Sequence, residues 1–245
     1  MATARHYPRA PITEAIIDIR VRLPESVGVD ELEKCHESIR EQYPGKARRD
    51  FAEGRFEVGK RVGASASQRP VGFLFKSQDG KQVFQARLNG FTMSRLAPYE
   101  SWEPFRSEAR RLWDIYRQTV SPEAVVRLAV RYINRIDIPT PFDDFDQFLR
   151  TIPVVSSDLP QALSGMFMQL TIPQPDIDCV ALLNEALIEP AMPDVASIIL
   201  DIDLFRTENP PQEEAEIWEF FEILHDRKND VFEACITEAA RKLFN

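Results

Sequence analysis

"VVRLAVRYINRID", residues 125–137, sets three arginines within an apolar strand pattern. Val126, Leu128, Val130, Tyr132, Ile136 and, just beyond, Ile138 recur at every second position, interrupted only by Asn134, which is the period of a strand with one face on a core. Arg127, Arg131 and Arg135 then share the opposite face with Ala129, Ile133 and Asp137. So long an amphipathic strand belongs in an antiparallel sheet that is covered on one face and open on the other.

Outward from that strand the pattern repeats. "PITEAIIDIRVRLP" puts Ala15, Ile17, Ile19, Val21 and Leu23 on one face and Glu14, Asp18, Arg20 and Arg22 on the other. "VDELEKCHESIREQYP" has helical spacing at Leu32, Cys35, Ile39 and Tyr43, with Asp30 placed to cap it and Pro44 past its stop. From Gly45 to Arg61 the pattern is ragged, with room for one strand, and "GASASQRP" (63–70) reads as a flexible, dispensable loop. "VGFLFKS" and "KQVFQARLN" flank Asp79-Gly80, a hairpin dipeptide tolerant of positive φ, and "GFTMSRL" extends the sheet. In "RLAPYESWEPF", Pro98 ends a strand and Ser101 starts a helix whose stripe is Trp102, Phe105, Ala109, Leu112, Trp113 and Tyr116.

After Pro122 the order starts again: the arginine strand, a short helix in "FDDFDQFLRTI", strands near 165–172, 177–187 and 196–206, and a long helix over about 212–244. The expected fold is therefore α+β: two tandem βαβββα halves, 1–121 and 122–245, in one compact unit. They share one antiparallel sheet, curved by its own twist, with helices on one face and the long C-terminal helix clasping it. That architecture resembles the duplicated TATA-binding-protein-like or helix-grip arrangement.

"PITEAIIDIRV", "FTMSRLAPYESW" and "RLAVRYINRI" together resemble the pattern of a sporadically distributed family of uncharacterised bacterial and archaeal proteins of about this length. The resemblance spans most of the chain. Its patchy occurrence implies mobile or accessory genes, such as defence or toxin-antitoxin modules.

Composition narrows the function. The chain has 245 residues, 44% of them hydrophobic, enough for a substantial core. A net charge of -9 argues against general affinity for nucleic acid or anionic lipid, which depends on cationic side chains. The apolar runs "ASIIL" and "CVALL" are far shorter than the roughly 20 residues of a membrane span, and the N-terminus lacks an apolar signal core, so a cytoplasmic location is expected. Cys35, Cys179 and Cys235 are too few and too scattered for a disulfide framework or a metal clip. His6, His36 and His225 lack zinc-ligand spacing, and no glycine-rich phosphate loop or other cofactor motif is present.

Three arginines on one strand face admit two readings. They form a ladder of ion pairs, with Glu14 and Asp18 as cross-strand partners for Arg131 or Arg135. Alternatively they line a groove for an anionic or extended ligand, because guanidinium binds carboxylate in bidentate fashion. Asp201 and Asp203, two apart on one strand, are weak candidate metal ligands and otherwise structural, charge-paired groups. Asn134 is expected to tie down backbone. The expected function is non-enzymatic: a protein segment or other extended ligand bound on the open face or edge of the sheet, antitoxin-like or chaperone-like, with a homodimer possible through the long last helix. A metal-dependent enzyme acting on nucleotides or nucleic acid, and a helix-grip pocket for a small apolar molecule, are the alternatives.

Overall fold

A computed structural model describes residues 5, 7–57, 63–161, 163–190 and 192–245, with backbone alone for 51–57 and 63–68. The fold is α+β, built on one nine-stranded antiparallel sheet. In chain order the strands are β1 (Ile12–Arg22), β2 (Gly45–Glu57), β3 (Gly63–Lys76), β4 (Gln82–Arg87), β5 (Gly90–Leu96), β6 (Ala124–Pro139), β7 (Phe167–Gln174), β8 (Cys179–Ile188) and β9 (Val195–Arg206). The helices are α1 (Val29–Glu33), α2 (Trp102–Val120), α3 (Glu214–Cys235) and α4 (Glu238–Lys242). Neighbours in the sheet run β2-β3-β4-β5-β1-β6-β9-β8-β7, so β2 and β7 are its two edges. Among the described residues no helix is long and apolar enough to cross a membrane.

Contacts group the chain into two compact units. One comprises Asp18–Arg95 and Trp102–Val126. Its core is a run of rings: Phe75 to Phe84 at 5.4 Å, Phe84 to Phe91 at 5.3 Å and Phe91 to Trp113 at 5.8 Å between centroids. Every member of the expected α2 stripe is buried. Leu32, Cys35, Ile39 and Tyr43 are buried too, although the expected helix there is only α1 followed by a 3-10 turn at Lys34–His36 and further turns.

The expected loop over 63–70 is instead the first part of β3, paired residue for residue with β2. Small polar residues carry no strand period of their own, so it is pairing with β2 that dictates extension here. The ladder shifts register at Arg49/Asp50, opposite Gly72, whose φ is +157° and where a Cβ would lie 2.1 Å from the Ala86 carbonyl oxygen. Glycine is what lets the strand pass that bulge. Residues 58–61, the end of the ragged segment, lie outside the described residues.

The second unit comprises Met1–Ile17, Leu96–Ser101 and Arg127–Asn245. From Leu128 onward the core face of β6 is the expected one, with Leu128, Val130, Tyr132, Ile136 and Ile138 buried. At its start the alternation slips: Val125 is buried and Val126 is 40% exposed. The expected helix over 142–152 is only a 3-10 turn, Phe145–Gln147, capped by the Asp144 carboxylate. The last helix is broken rather than continuous. Ile236 leaves α3 in an extended conformation and bridges Leu149, and Thr237 then caps α4 by accepting a hydrogen bond from the Ala240 N–H. No proline or glycine marks that break in the sequence; a tertiary backbone contact makes it.

Candidate functional site

The arginines of β6 answer to carboxylates on β9. In the β6–β9 register Arg131 lies opposite Asp203 and Ile133 opposite Asp201. Each guanidinium leans diagonally in the same direction along the strand. Arg131 grips Asp201 with two bonds, Nε at 2.8 Å and Nη2 at 2.6 Å, while Arg127 donates to Asp203 at 2.8 Å and lies over the Phe205 ring at 4.6 Å. Arg135 donates to Asp137 at 3.0 Å and to Ser197 at 3.1 Å. The Asn184 amide adds a bond to Asp201 at 3.2 Å. The Asp201 side chain is 7% exposed against 43% for Arg131, so the acid is the buried member of the pair.

The three arginines share a strand face and Asp201 and Asp203 are charge-paired, but the partners of Arg127 and Arg131 lie on β9, and not on β1 as expected for Arg131. Glu14 adds its charge to those that favour the protonated Arg131, after Asp201 and Asp203. Asp18, in the other unit, accepts from Arg87 at 2.6 Å, Thr92 at 2.8 Å and Arg20 at 2.7 Å. Burial pushes its carboxyl upward, yet Arg87 and Arg20 outweigh that and hold it below the ordinary carboxylate range. Asn134 performs its expected task, donating to the carbonyls of Leu200 at 3.0 Å and Tyr132 at 3.3 Å.

Beneath α3 lie ionisable groups that the sequence did not single out. Lys228, on the buried side of the helix, sets its ammonium nitrogen 3.8 Å from the centroid of Tyr132, whose hydroxyl meets that of Tyr99 at 3.0 Å. Burial pulls Lys228 down to about 7, and His225 is pulled by burial and by Lys228 to about 3. Glu185 is wholly buried on β8, its two carboxylate oxygens make no hydrogen bond among the described residues, and burial raises it to about 7. Its place on the apolar alternation Cys179, Ala181, Leu183, Glu185 was the available signal. All three cysteines are free and buried. His6 lies outside the described residues.

No residue of β7 is buried. Phe167 is 71% and Ile172 39% exposed. The Leu187 N–H donates to the Met166 carbonyl at 3.0 Å, and 166 and 187 continue the register that pairs Phe167 with Ala186. Hydrogen-bonded pairs alternate along an antiparallel ladder, so the even-numbered residues of β7 turn their backbone groups to β8 and the odd-numbered ones turn theirs outward. Phe167, Gln169 and Thr171 therefore present N–H and C=O groups at a sheet edge, and Pro173, which has no N–H, falls on the outward side as edge geometry requires. No charged residue occurs in the strand "FMQLTIPQ". The sequence matches no protein-family model and no curated protein.

Proposed function

We propose that this protein is a non-enzymatic binding module that takes an extended protein segment onto the free edge of β7. The observation that carries the reading is an eight-residue edge strand with outward backbone groups, exposed apolar side chains and no charge. Main-chain bonds to such an edge supply affinity, and pockets for alternate side chains supply selectivity. The arginine face serves as internal scaffolding, because Asp201, Asp203 and Asp137 already take up its guanidinium groups. Those same pairs leave the metal-dependent enzyme without specific support, since a cation would have to displace Arg131 from Asp201 and Arg127 from Asp203.

The matching connectivity of the halves supports an internal duplication of the TATA-binding-protein-like kind: in each, the first strand neighbours the last. The resemblance to a sporadic prokaryotic family fits an antitoxin-like, chaperone-like or defence-accessory role. Capture of host proteins on wild-type chain and on a Thr171→Pro variant, which removes one outward N–H, tests the edge. A specific partner retained by the variant, with its fold intact by circular dichroism, overturns the reading.

A further inference from the structure

Resting on the edge reading above, we infer that the segment bound by β7 is β7 of a second copy of this chain, joined antiparallel across a twofold axis at Gln169. Only outward-facing residues can form the hydrogen-bonded pairs of the new ladder, so a symmetric pairing must bring odd residues opposite odd ones, and the choice of centre decides which. Centred on Leu170, the pairing sets Pro173 against Phe167, where proline cannot answer the Phe167 carbonyl. Centred on Met168, it pairs Thr171 with Gly165, beyond the strand's end, and wastes one of the three outward donors of β7. Centred on Gln169, it sets Gln169 against Gln169 and Phe167 against Thr171, so all three outward N–H groups meet outward carbonyls of the strand. Pro173 then falls opposite Gly165, around which a side chain would find open space.

Side chains support the same register. Leu170 pairs with Leu183 and Ile172 with Ala181 on β8, so the even residues of β7 lie on the core face of the sheet. Across the axis Met168 would meet Leu170 and Met166 would meet Ile172, covering apolar groups that a single copy leaves partly in water. On the opposite face Phe167 would meet Thr171. No like charges come together, because the strand carries none. A foreign strand could use the edge, but it would have no reason to complement the placement of Pro173 and Gly165.

Light scattering of the full-length protein from about 1 to about 100 μM should show a mass twice 28.1 kDa. Gln169→Cys should form a covalent dimer on mild oxidation, since hydrogen-bonded pairs place Cα atoms about 5.5 Å apart, within disulfide range. Thr171→Cys, facing Phe167 of the second copy, should not, and the native cysteines, all buried, should stay out of the reaction. Gln169→Lys and Gln169→Glu should each weaken association at least about a hundredfold, and an equimolar mixture should restore it. A monomer throughout this range, with no covalent dimer from Gln169→Cys, overturns the inference, as does cross-linking of the Thr171→Cys variant as readily as of Gln169→Cys. A monomer whose host partner is lost in Thr171→Pro would sink self-pairing and keep the edge reading; a partner retained by that variant would sink the edge reading itself.

Discussion

The sheet's two edges are built on opposite rules. β2, "GKARRDFAEGRFE", carries Lys46, Arg48, Arg49, Asp50, Glu53, Arg55 and Glu57, and its charges are engaged at Lys46, which pairs with Glu33, and at Arg48 and Asp50, which pair with each other at 3.3 Å. β7 carries no charge at all. Charged side chains and register shifts are how proteins keep a sheet edge from pairing with other chains, and β2 has both. One edge thus carries the guards against strand addition and the other lacks them, and the proposed strand pairing rests on that contrast.

The largest effect expected from breaking this contrast is on association. Giving β7 the guards of β2, as Gln169→Lys with Thr171→Lys, should lower self-association by at least about a hundredfold while leaving the melting temperature of the dilute protein within a few degrees, because both side chains are exposed. Sedimentation velocity reads the first and calorimetry the second.

Next in size is Glu185, which lies opposite Met168 of β7 on the core face, one strand in from the open edge. Its folded pKa, about 7, stands above its ordinary 4.5. Between those values the folded protein holds a proton that the unfolded chain releases, so stability falls as pH rises through that window. Glu185→Met should remove this dependence, stabilising the protein at pH 8 by on the order of 3 kcal/mol and by much less at pH 4.5. Urea denaturation at the two pH values measures it; an equal gain at both would mean that the carboxyl is not the source.

Arg131→Gln should cost about 1–2 kcal/mol, less than a fully buried pair would, because the guanidinium is 43% exposed while the Asp201 carboxylate left behind is buried. The corresponding change on the guarded edge, Arg48→Thr with Asp50→Thr, should alter stability by no more than about 0.5 kcal/mol, since that pair is solvated. Its consequence should appear instead as assemblies larger than a dimer, visible by light scattering. If the doubly substituted protein assembles no further than the wild type, the charges on β2 are not what closes it.

Much of the fold was legible in residue order. The alternations of β1 and, from Leu128 onward, of β6, the Asp79-Gly80 hairpin and the stripe of α2 are local periodicities, and each is where the pattern put it. The elements that escaped reading lack a local signal. The first part of β3 is extended because β2 pairs with it, and the last helix stops at Ile236 because Leu149 claims that residue's backbone. Of the candidate site, the shared face of Arg127, Arg131 and Arg135 was legible, and their partners were not, because a diagonal contact between β6 and β9 depends on a register set by residues far apart in the chain.

Residue order alone settles which side of each strand faces apolar surroundings, because a side chain's direction alternates residue by residue and apolar residues follow it. Tertiary structure decided which strand is left at the edge. "FMQLTIPQ" reads the same whether it lies inside a sheet or at its rim, and only the order β9-β8-β7 leaves its outward N–H groups without a neighbouring strand among the described residues. Exposure of backbone is a property of strand order, and strand order is fixed by long-range pairing that no local period encodes.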